Sequence, residues 1–357
     1  MLDSTFWSGK RVFLTGHTGF KGSWLSIWLN HLGAIVKGYA LEPPTQPSLF
    51  VEARVSELVD SEISDICNLS QLRESINNFK PEIIIHMAAQ PLVRYSYKDP
   101  VETYKVNTLG TANLLEAARL CDSVRAVVSV TTDKCYENNE WVWAYRENEP
   151  MGGHDPYSSS KGCAELIISS YQRSFYKEKK VGLASVRSGN VIGGGDWASD
   201  RLIPDILRAF EKRRPVVVRN PGSIRPWQHV LEPLHGYLKL SQLLFEHAEK
   251  FSEGWNFGPN ENDARPVSWI LDEVVRIWPG SSWTLDKSVN NPHESNYLKL
   301  DISKAAAKLN WKPIWSLNQA LSHTVIWHQS WLKGDDMQLV TRNEIKEFMT
   351  LMKKVLK

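Results

Sequence analysis

The first half of the chain alternates short apolar runs with segments whose apolar residues recur at helical spacing. Val12-Phe13-Leu14 and Ile83-Ile84-Ile85 are the compact runs expected of strands that are buried on both faces. Between them, the apolar residues from Trp24 to Leu32 repeat at three- and four-residue intervals, which is typical of one helix face. Strands that alternate with helices in this way predict βαβ units and a parallel sheet.

The apolar pattern also gives approximate bounds for the elements of this half. We predict strands at about 12–14, 34–40, 59–66, 82–89, 126–132 and 181–187, and helices at about 24–32, 72–79, 100–120 and 157–176. The predicted fold class is therefore α/β, a doubly wound parallel sheet of the Rossmann type.

After about Gly189 the alternation breaks, and glycines and prolines separate shorter elements. Helical patterns return at about 230–245, 268–278 and 316–332, and residues 341–357 form a basic amphipathic pattern. We predict a smaller, C-terminal lobe that is interleaved with the last strands of the sheet. The terminal segment is expected to be a solvated helix rather than a membrane-binding one.

The composition excludes several classes of protein. Of 357 residues, 42% are hydrophobic and 23% are charged, and 42 Lys and Arg residues nearly balance 40 Asp and Glu residues. The apolar fraction is too high for a disordered chain. The balanced charge is unlike that of a protein that binds nucleic acid electrostatically, so we expect no nucleic-acid partner.

The sequence also lacks the marks of membrane insertion, secretion and metal binding. No stretch approaches the ~18 apolar residues that a membrane helix needs, and the N-terminal residues lack the pattern of a signal peptide. Cys67, Cys121, Cys135 and Cys163 show no paired spacing, so we expect reduced thiols and no structural zinc. These features favour a cytoplasmic protein without a bound metal.

A glycine-rich segment directly follows the first predicted strand. It reads TGHTGFKG and places Gly16, Gly19 and Gly22 three residues apart, where the next helix begins. Glycine allows a tight turn and lets a pyrophosphate approach the backbone, and the helix N-terminus offers unpaired N–H groups. Dinucleotide-binding loops occur at this position between strand and helix. The predicted cofactor-binding residues of the loop are Gly16, His17, Thr18, Gly19, Phe20, Lys21 and Gly22.

The ends of the following strands bear on the choice of cofactor. No Arg or Lys lies between Gly38 and Val51 to bind a 2′-phosphate, so we expect NAD rather than NADP. Glu42 is either the acid that holds the adenosine ribose or a solvent-facing turn residue, and the sequence leaves both alternatives open. Further cofactor contacts are expected where the third and fourth strands end, at Asp65, Ile66, Ala88, Ala89 and Gln90.

A second motif, Tyr157-Ser-Ser-Ser-Lys161, opens a predicted helix. Residues four apart share a helix face, so the Lys161 ammonium can lie beside the Tyr157 phenol. The ordinary pKa of a phenol is about 10, and we expect a neighbouring cation and an oxidised nicotinamide to lower it until Tyr157 can act as a base. Thr132 ends the preceding predicted strand. Because ligands of parallel sheets bind beyond the carboxyl ends of strands, Thr132 and Tyr157 are expected to meet there.

Together these features resemble the extended branch of the short-chain dehydrogenase/reductases. The resemblance covers about residues 11–331 and is carried by the glycine loop, Ala88-Ala89, Asn107 in VNTLGTANLLEAAR, Thr132, and the Tyr157 and Lys161 pair. More specific blocks resemble the sugar-nucleotide 4,6-dehydratases of that family, in particular those that act on CDP-D-glucose. These blocks are GHTGFKGSWL, PPTQPSLF, TTDKCYEN, RSGNVIGGGDW, DRLIPD, RPWQHVLEPL and NFGP.

The resemblance implies a role for each residue of the second motif. Tyr157 would remove a hydroxyl proton, Lys161 would assist it and bind the nicotinamide ribose, and Thr132 would orient the substrate oxygen. Asn107 is implied as a further cofactor contact.

The residues after Thr132 depart from the pattern of these dehydratases. Such enzymes generally carry Thr-Asp-Glu, with the Asp and Glu acting as acid and base, whereas this chain has Thr132-Asp133-Lys134. Asp133 suits the acid that protonates a departing C6 hydroxyl. Lys134 can remove the C5 proton only when it is neutral, which requires burial or nearby positive charge.

The resemblance also implies the substrate and the assembly. CDP-D-glucose would be converted to CDP-4-keto-6-deoxy-D-glucose, a precursor of deoxysugars such as those of O-antigen. Residues 1–188 would mainly hold NAD and residues 189–357 mainly the nucleotide sugar, in a homodimer or a dimer of dimers. The implied substrate contacts are Gln90, Thr132, Asn190, Asp200, Arg201 and Arg225.

Two other functions share most of these features. A nucleotide-sugar 4-epimerase would use Thr132, Tyr157 and Lys161 but needs no acid and base at positions 133 and 134. A non-catalytic NAD-binding regulator would need neither Tyr157 nor Lys161, and both are present. The Asp133-Lys134 dipeptide therefore favours the dehydratase.

Overall fold

Seven parallel strands, several of them rich in Val and Ile, form the centre of the molecule. The computed structural model describes residues 2–218, 220–286 and 298–356. The strands in this part of the chain are β1 (Arg11–Thr15), β2 (Ile35–Ala40), β3 (Asp60–Ile63), β4 (Ile83–His86), β5 (Ala126–Val130), β6 (Gly182–Ser188), β7 (Val191–Ile192), β8 (Val216–Val218), β9 (Ile224–Arg225), β10 (Gln228–His229), β11 (Gly254–Phe257), β12 (Arg265–Pro266) and β13 (Trp283–Leu285).

The order of strands in the central sheet is β11-β6-β5-β4-β1-β2-β3, and each adjacent pair is parallel. The chain moves from β1 outward through β2 to β3 and then returns to place β4 on the other side of β1. The crevice at the carboxyl ends of β1 and β4 is therefore the switch point at which doubly wound sheets bind their ligands.

Helices cover both faces of this sheet. They are α1 (Ser4–Trp7), α2 (Phe20–His31), α3 (Leu49–Glu52), α4 (Leu69–Phe79), α5 (Val93–Lys98), α6 (Pro100–Tyr104), α7 (Gly110–Arg119), α8 (Pro156–Tyr171), α9 (Leu202–Glu211), α10 (Leu231–Glu246), α11 (Ala248–Phe251), α12 (Val267–Ile277), α13 (Ser303–Leu309), α14 (Leu317–Lys333) and α15 (Met337–Val355). Short 3₁₀ turns lie at Val55–Glu57, Asp133–Cys135 and Glu261–Asp263, and π-helical turns at Lys105–Leu109 and Gln172–Tyr176.

The alternation of side chains along β1 divides the interior into two cores. Phe13 faces the side covered by α4, α7 and α8, where it joins a buried cluster with Ile76 and Leu114. Val12 and Leu14 face the opposite side, where α2, α10 and α15 contribute to a second cluster. Because both faces are covered, all residues of β4 and β6 and most residues of β1 and β5 are buried, which explains the continuous apolar runs of the sequence.

The smaller lobe is built after β6. Its three two-stranded sheets pair β7 with β10, β8 with β13, and β9 with β12. A separate apolar core joins α9, α12 and α14, with Ile206, Ile270 and Leu321 fully buried. Strand β11 returns to the central sheet beside β6. The predicted fold class, with an interleaved second lobe, is confirmed.

Two predicted helices contain irregular turns. The helix predicted at 100–120 consists of α6 and α7 with the π-helical turn between them, and the helix predicted at 157–176 ends in the second π-helical turn. Apolar periodicity does not distinguish a π-helical turn from an α-helical one. Such turns are often found at functional sites, and the first of these carries Asn107.

The prediction of a solvated terminal helix is wrong. α15 packs against α2 and α14, and its residues Ile345, Phe348 and Met352 are fully buried. The basic residues occupy its other side. Within the three described segments, no helix is both long enough and apolar enough to span a membrane.

Candidate active site

The glycine loop turns sharply between β1 and α2. Gly16 has φ of +76°, and a Cβ atom there would lie 2.7 Å from the backbone nitrogen of Ala88. Gly22 is packed still more closely, since its Cβ would lie 2.0 Å from the carbonyl oxygen of Gly16. Gly19 is the N-cap of α2 and offers no side chain to the first N–H groups. These groups and the helix dipole lie at the crevice and suit an anionic diphosphate.

Two side chains of the loop hold it against the neighbouring strands. The His17 ring is fully buried, and its Nε2 lies 2.7 Å from Ser61 Oγ of β3. Burial, followed by the charge of Lys37, lowers the pKa of His17 to about 4. Thr18 Oγ1 donates to the carbonyl of Leu41 at 2.8 Å, just after β2. His17 and Thr18 therefore shape the loop from within.

Lys21, in the first turn of α2, points across the crevice to β6 and α10. Its ammonium donates to Ser188 Oγ and to the Tyr237 hydroxyl, both at 3.2 Å. Burial, followed by the charges of Arg201 and Lys161, lowers the pKa of Lys21 to about 7. Lys21 thus links the glycine loop to the carboxyl end of β6.

Asn107 fixes the loop that follows β4. Its Oδ1 accepts the N–H of Gln90 at 2.8 Å, and its Nδ2 donates to the Gln90 carbonyl at 3.0 Å and to Ser160 Oγ at 2.9 Å. Thr15 Oγ1, at the end of β1, accepts the N–H of Ala88 at 3.1 Å. Asn107 thereby joins the Ala88-Ala89 segment to α8.

Thr132, Tyr157 and Lys161 lie together beyond the carboxyl end of β5. Asp155 caps α8 and directs its first turn to this edge. The Thr132 side chain is hydrogen-bonded to the Tyr157 hydroxyl. One turn further along α8, Lys161 Nζ donates to the carbonyl of Val130 at 3.4 Å. The structure therefore brings these three predicted residues into one group.

Burial dominates the electrostatics of this group. It raises the pKa of Tyr157 to about 12, an effect that the Thr132 hydrogen bond and the Arg201 charge oppose and the Asp133 charge adds to. Burial lowers the pKa of Lys161 to about 8. The expected lowering of the Tyr157 pKa is therefore not produced by the side chains alone, because desolvation outweighs the nearby positive charge.

Asp133 lies in the short 3₁₀ turn that follows Thr132 and is 1% exposed. Its Oδ1 accepts the Thr132 hydroxyl at 3.0 Å and lies 3.8 Å from Lys134 Nζ. Its Oδ2 is buried and has no hydrogen-bond partner among the described residues. The Lys134 side chain is 31% exposed and lies beside this carboxylate. Lys134 is therefore only partly buried, with a carboxylate oxygen 3.8 Å from its ammonium nitrogen.

The remaining predicted cofactor contacts are spread along the crevice. Asp65 and the buried Ile66 follow β3, and Glu42 is exposed in the bend after β2. The side-chain amide of Gln90 donates to Thr103 Oγ1 at 3.0 Å. Gln90 thus contributes mainly to the structure of its own loop.

Arg201 is the predicted substrate residue whose charge acts on the catalytic group. Its Nη1 donates to Asp196 Oδ2 at 2.8 Å, and its charge acts to lower the pKa of Tyr157. The neighbouring Asp200 has φ of +59° and pairs with Arg94 of α5 at 3.0 Å. The DRLIPD segment therefore borders the crevice, and an Arg94–Asp200 ion pair crosses between the two lobes.

Arg225 and Asn190 lie on the smaller lobe. Arg225 stands opposite Arg265 in the antiparallel pair β9 and β12, so this edge carries two guanidinium groups. The Asn190 carbonyl accepts the N–H of Gln228 at 3.0 Å and ties β7 to β10. Asn190 lies two residues beyond the carboxyl end of β6, which is the neighbour of β5 in the sheet.

The His, Cys, Asp and Glu residues of the described segments bear on whether the site could bind a metal or use a reactive thiol. No group of three or more His, Cys, Asp and Glu residues in the described segments could hold a metal ion. All four cysteines are free. Cys135 directly follows Lys134, but burial raises the pKa of its thiol well above the ordinary value, which disfavours a nucleophilic thiolate.

A sequence model of the family described as GDP-mannose 4,6 dehydratase matches residues 13–324. The chain belongs to this family. Its sequence is 58% identical to a CDP-glucose 4,6-dehydratase of Salmonella typhimurium, over 98% of this chain and 99% of that one. The resemblance inferred from the sequence blocks is thereby confirmed.

Two solved structures have a similar fold. A UDP-glucuronic acid 4-epimerase from Bacillus cereus, in complex with UDP-glucuronic acid and NAD, has a TM-score of 0.77 at 22% identity, covering 90% of this chain and 99% of that one. A dTDP-glucose 4,6-dehydratase from Bacillus anthracis, in complex with NAD, has a TM-score of 0.73 at 19% identity, covering 92% and 100% of the two chains. These likenesses establish the shared fold.

Sequence reasoning missed one polar cluster of this 4,6-dehydratase family member. Glu165 of α8 and Arg187 of β6 form an ion pair at 2.8 Å, with both side chains 5% exposed. Arg187 Nη1 also donates to the Tyr136 hydroxyl at 2.6 Å, and that hydroxyl donates to Asn256 Oδ1 at 2.7 Å. A signal was present, because Glu165 repeats the four-residue spacing of Tyr157 and Lys161.

The contact between Gly22 and Gly16 generates a stability prediction. Gly22→Ala places a Cβ atom where the Gly16 carbonyl lies, so the backbone must shift. We expect the free energy of unfolding to fall by about 1–3 kcal/mol, measured by denaturant titration. Gly222→Ala is the matched control, because nothing lies within 4 Å of a Cβ there. Equal stability of the two variants would contradict the tight packing of the loop on α2.

Proposed function

We propose that this chain is an NAD-dependent sugar-nucleotide 4,6-dehydratase that converts CDP-D-glucose to CDP-4-keto-6-deoxy-D-glucose. The observation that carries the proposal is the buried Asp133 carboxylate beside Thr132, Tyr157 and Lys161, one oxygen of which has no hydrogen-bond partner in the described part of the chain. The 58% identity to a CDP-glucose 4,6-dehydratase over nearly the whole chain supports the choice of nucleotide and sugar.

The glycine loop fits NAD. Gly16 and Gly22 allow the tight turn from β1 into α2, since a Cβ atom at either position would collide with the backbone, and the N-terminus of α2, which has no side-chain cap, suits a diphosphate. No Arg or Lys lies between Gly38 and Val51, so this segment offers no positive charge to the additional 2′-phosphate of NADP. When bound, NAD supplies the capacity to accept a hydride from the sugar and to return it. In this proposal residues 1–188 mainly hold this cofactor, and residues 189–357 mainly hold the nucleotide sugar.

Tyr157 removes the proton of the C4 hydroxyl, and Thr132 orients that hydroxyl. This division of roles follows from the hydrogen bond between the two side chains and from their position at the strand ends. Because burial opposes the phenolate, positive charge must stabilise it, and the charge of Arg201 acts in that direction. In this proposal Lys161 also binds the nicotinamide ribose.

Elimination of water requires an acid at C6 and a base at C5 once C4 is a ketone. Asp133 is the proposed acid, because its free oxygen is buried next to Thr132. Lys134 is the proposed base, and substrate that covers its partly exposed side chain would supply the burial that its neutral form needs. A 4-epimerase requires neither group, so the desolvated Asp133 favours the dehydratase.

The nucleotide diphosphate lies against the smaller lobe in this proposal. Arg225 and Arg265 face each other across two short strands, and a guanidinium matches a phosphate in geometry and charge. Asn190, Asp200 and Arg201 are proposed substrate contacts on the same side of the crevice. The Asp200–Arg94 pair would then have to open or share its carboxylate when the sugar binds.

The proposed assembly is a homodimer or a dimer of dimers in the cytoplasm. Val101 of α6, Leu109 of the π-helical turn and Leu166 of α8 are 76%, 51% and 63% exposed. Large apolar side chains in this number on neighbouring helices favour burial by a second subunit. The molar mass in solution tests this part of the proposal.

Incubation with a panel of nucleotide sugars tests the function. The purified chain is given NAD and the glucose derivatives of CDP, dTDP, GDP and UDP, and products are identified by NMR. We expect a 4-keto-6-deoxy sugar from CDP-D-glucose and much slower conversion of the others. Tyr157→Phe is the inactive control. A C4 epimer, or no product from any of the four, would contradict the proposal.

Variants at Asp133 and Lys134 test the proposed elimination step. Asp133→Asn removes the proton donor for the C6 hydroxyl, and Lys134→Met removes the base for C5. We expect both to retain C4 oxidation, seen as reduced-nicotinamide absorbance, and to lose about 10²–10⁴-fold in product formation. Normal product formation by Lys134→Met alone would assign the C5 proton to another group. Normal formation by Asp133→Asn would remove Asp133 from the acid role.

A further inference from the structure

The carboxylate of Glu165, one helical turn beyond Lys161 on α8, accepts four hydrogen bonds. Glu165 Oε1 accepts hydrogen bonds from Thr131 Oγ1 at 2.5 Å and from Arg187 Nε at 2.8 Å. Its Oε2 accepts from Ser185 Oγ at 2.7 Å and from Arg187 Nη2 at 2.8 Å. Each oxygen therefore has two donors, and the side chain, 5% exposed, is held in one position.

We propose that Glu165 is a positioning residue for the reaction. Through the Thr131 hydroxyl it fixes the backbone that presents Thr132, and through its negative charge it supports the ammonium of Lys161. This inference rests on the proposed function, because the residues that Glu165 positions are the proposed catalytic ones.

The link to Thr132 runs through its immediate neighbour. The Thr131 backbone N–H donates to the Val186 carbonyl at 2.9 Å, while its hydroxyl turns to Glu165. The next residue, Thr132, must place its own hydroxyl against both Tyr157 and Asp133. Misplacement of a catalytic group by about 1 Å can reduce a rate by ~10²-fold, so a restraint one residue away has a kinetic effect.

The link to Lys161 is electrostatic. Burial lowers the pKa of Lys161 to about 8, and Glu165 is the first of the groups that oppose this lowering, followed by Cys135. Lys161 itself acts on Lys21 of α2 and on His86 of β4, where its charge helps to lower the pKa, and neither of these groups carries negative charge. The Cys135 thiol is neutral because burial raises its pKa well above the ordinary value. Glu165 therefore supplies the negative charge that keeps the Lys161 ammonium protonated.

Arg187 keeps Glu165 in its anionic form. Burial acts to raise the pKa of Glu165, but the charge of Arg187 and the donated hydrogen bonds outweigh it, so this pKa is lowered. Arg187 is in turn fixed by the Tyr136 hydroxyl at 2.6 Å and the Glu147 carbonyl at 3.0 Å. Arg187 thus donates four hydrogen bonds, and a buried ion pair held in this way is costly to break on one side.

Two matched hydroxyl deletions test the positioning role. Thr131→Val and Ser185→Ala each remove one donor to Glu165, while Arg187 still binds both carboxylate oxygens. Because only Thr131 precedes Thr132, we expect Thr131→Val to lower kcat by ~10–100-fold with little change in KM. Ser185→Ala should retain kcat within about threefold at a comparable unfolding midpoint. Equal kcat values for the two variants would overturn the proposal.

Glu165→Gln tests the electrostatic role. It removes the charge and retains the shape, so Lys161 should lose its proton at lower pH. We expect the alkaline limb of the kcat profile to move to lower pH by ~1 unit, and Thr131→Val to leave that limb in place. If Glu165→Gln folds and the alkaline limb of its kcat profile lies at the same pH as in the unmodified chain, the electrostatic role is contradicted. If the variant does not fold, the Thr131→Val and Ser185→Ala comparison decides.

The unmodified chain separates this inference from the function on which it rests. If it forms no 4-keto-6-deoxy product from CDP-D-glucose, the proposed function fails, and the inference fails with it. If it forms the product and Thr131→Val behaves like Ser185→Ala, only the inference fails.

Discussion

The parallel pairing of the central strands is the constraint on which the site depends. β1, β4, β5 and β6 run in one direction, so their carboxyl ends lie along a single edge of the sheet. The glycine loop, the Ala88-Ala89 segment, Thr132 and Ser188 all follow these ends. α8 returns to the same edge and adds Tyr157 and Lys161. Residues that are distant in sequence thus meet without any special local conformation, apart from the close packing of Gly22 on Gly16.

Desolvation at this edge gives the collected groups their chemistry. Burial is the largest of the causes that, together with neighbouring charges, lower the pKa of Lys21 to about 7 and that of Lys161 to about 8 and raise that of Tyr157 to about 12. In such an environment the interaction of two charges is stronger than in water. The ion pair of Glu165 and Arg187 therefore has more influence on the proposed reaction than its distance from the crevice suggests.

The sequence predicts what depends on periodicity and on short motifs. The apolar runs predicted the parallel sheet, because strands buried on both faces must be apolar throughout. The glycine spacing and the Tyr157 and Lys161 pair predicted which loops and helices line the crevice. For Thr132, the position at a strand end was sufficient to predict its neighbours.

Other features depend on tertiary contacts and could not be predicted in this way. The spacing of Glu165 places it on the helix face of Tyr157 and Lys161, but it does not reveal the buried partners, which lie just after β5 and on β6. The basic residues of α15 indicated a solvated helix, whereas one side of this helix is apolar and packs on α2. The raised pKa of Tyr157 follows from burial, which a motif does not report. The exposure of Lys134 is likewise a property of the fold.

The central claim is that one active site oxidises C4 of the sugar and returns the same hydrogen to C6. CDP-D-glucose that carries deuterium at C4 tests it most directly, when it is converted in ordinary water in the presence of NAD and an excess of unlabelled substrate. The account predicts deuterium at C6 of the molecule that carried it, with solvent hydrogen at C5. Deuterium retained at C4, lost to solvent, or transferred to unlabelled molecules would contradict it.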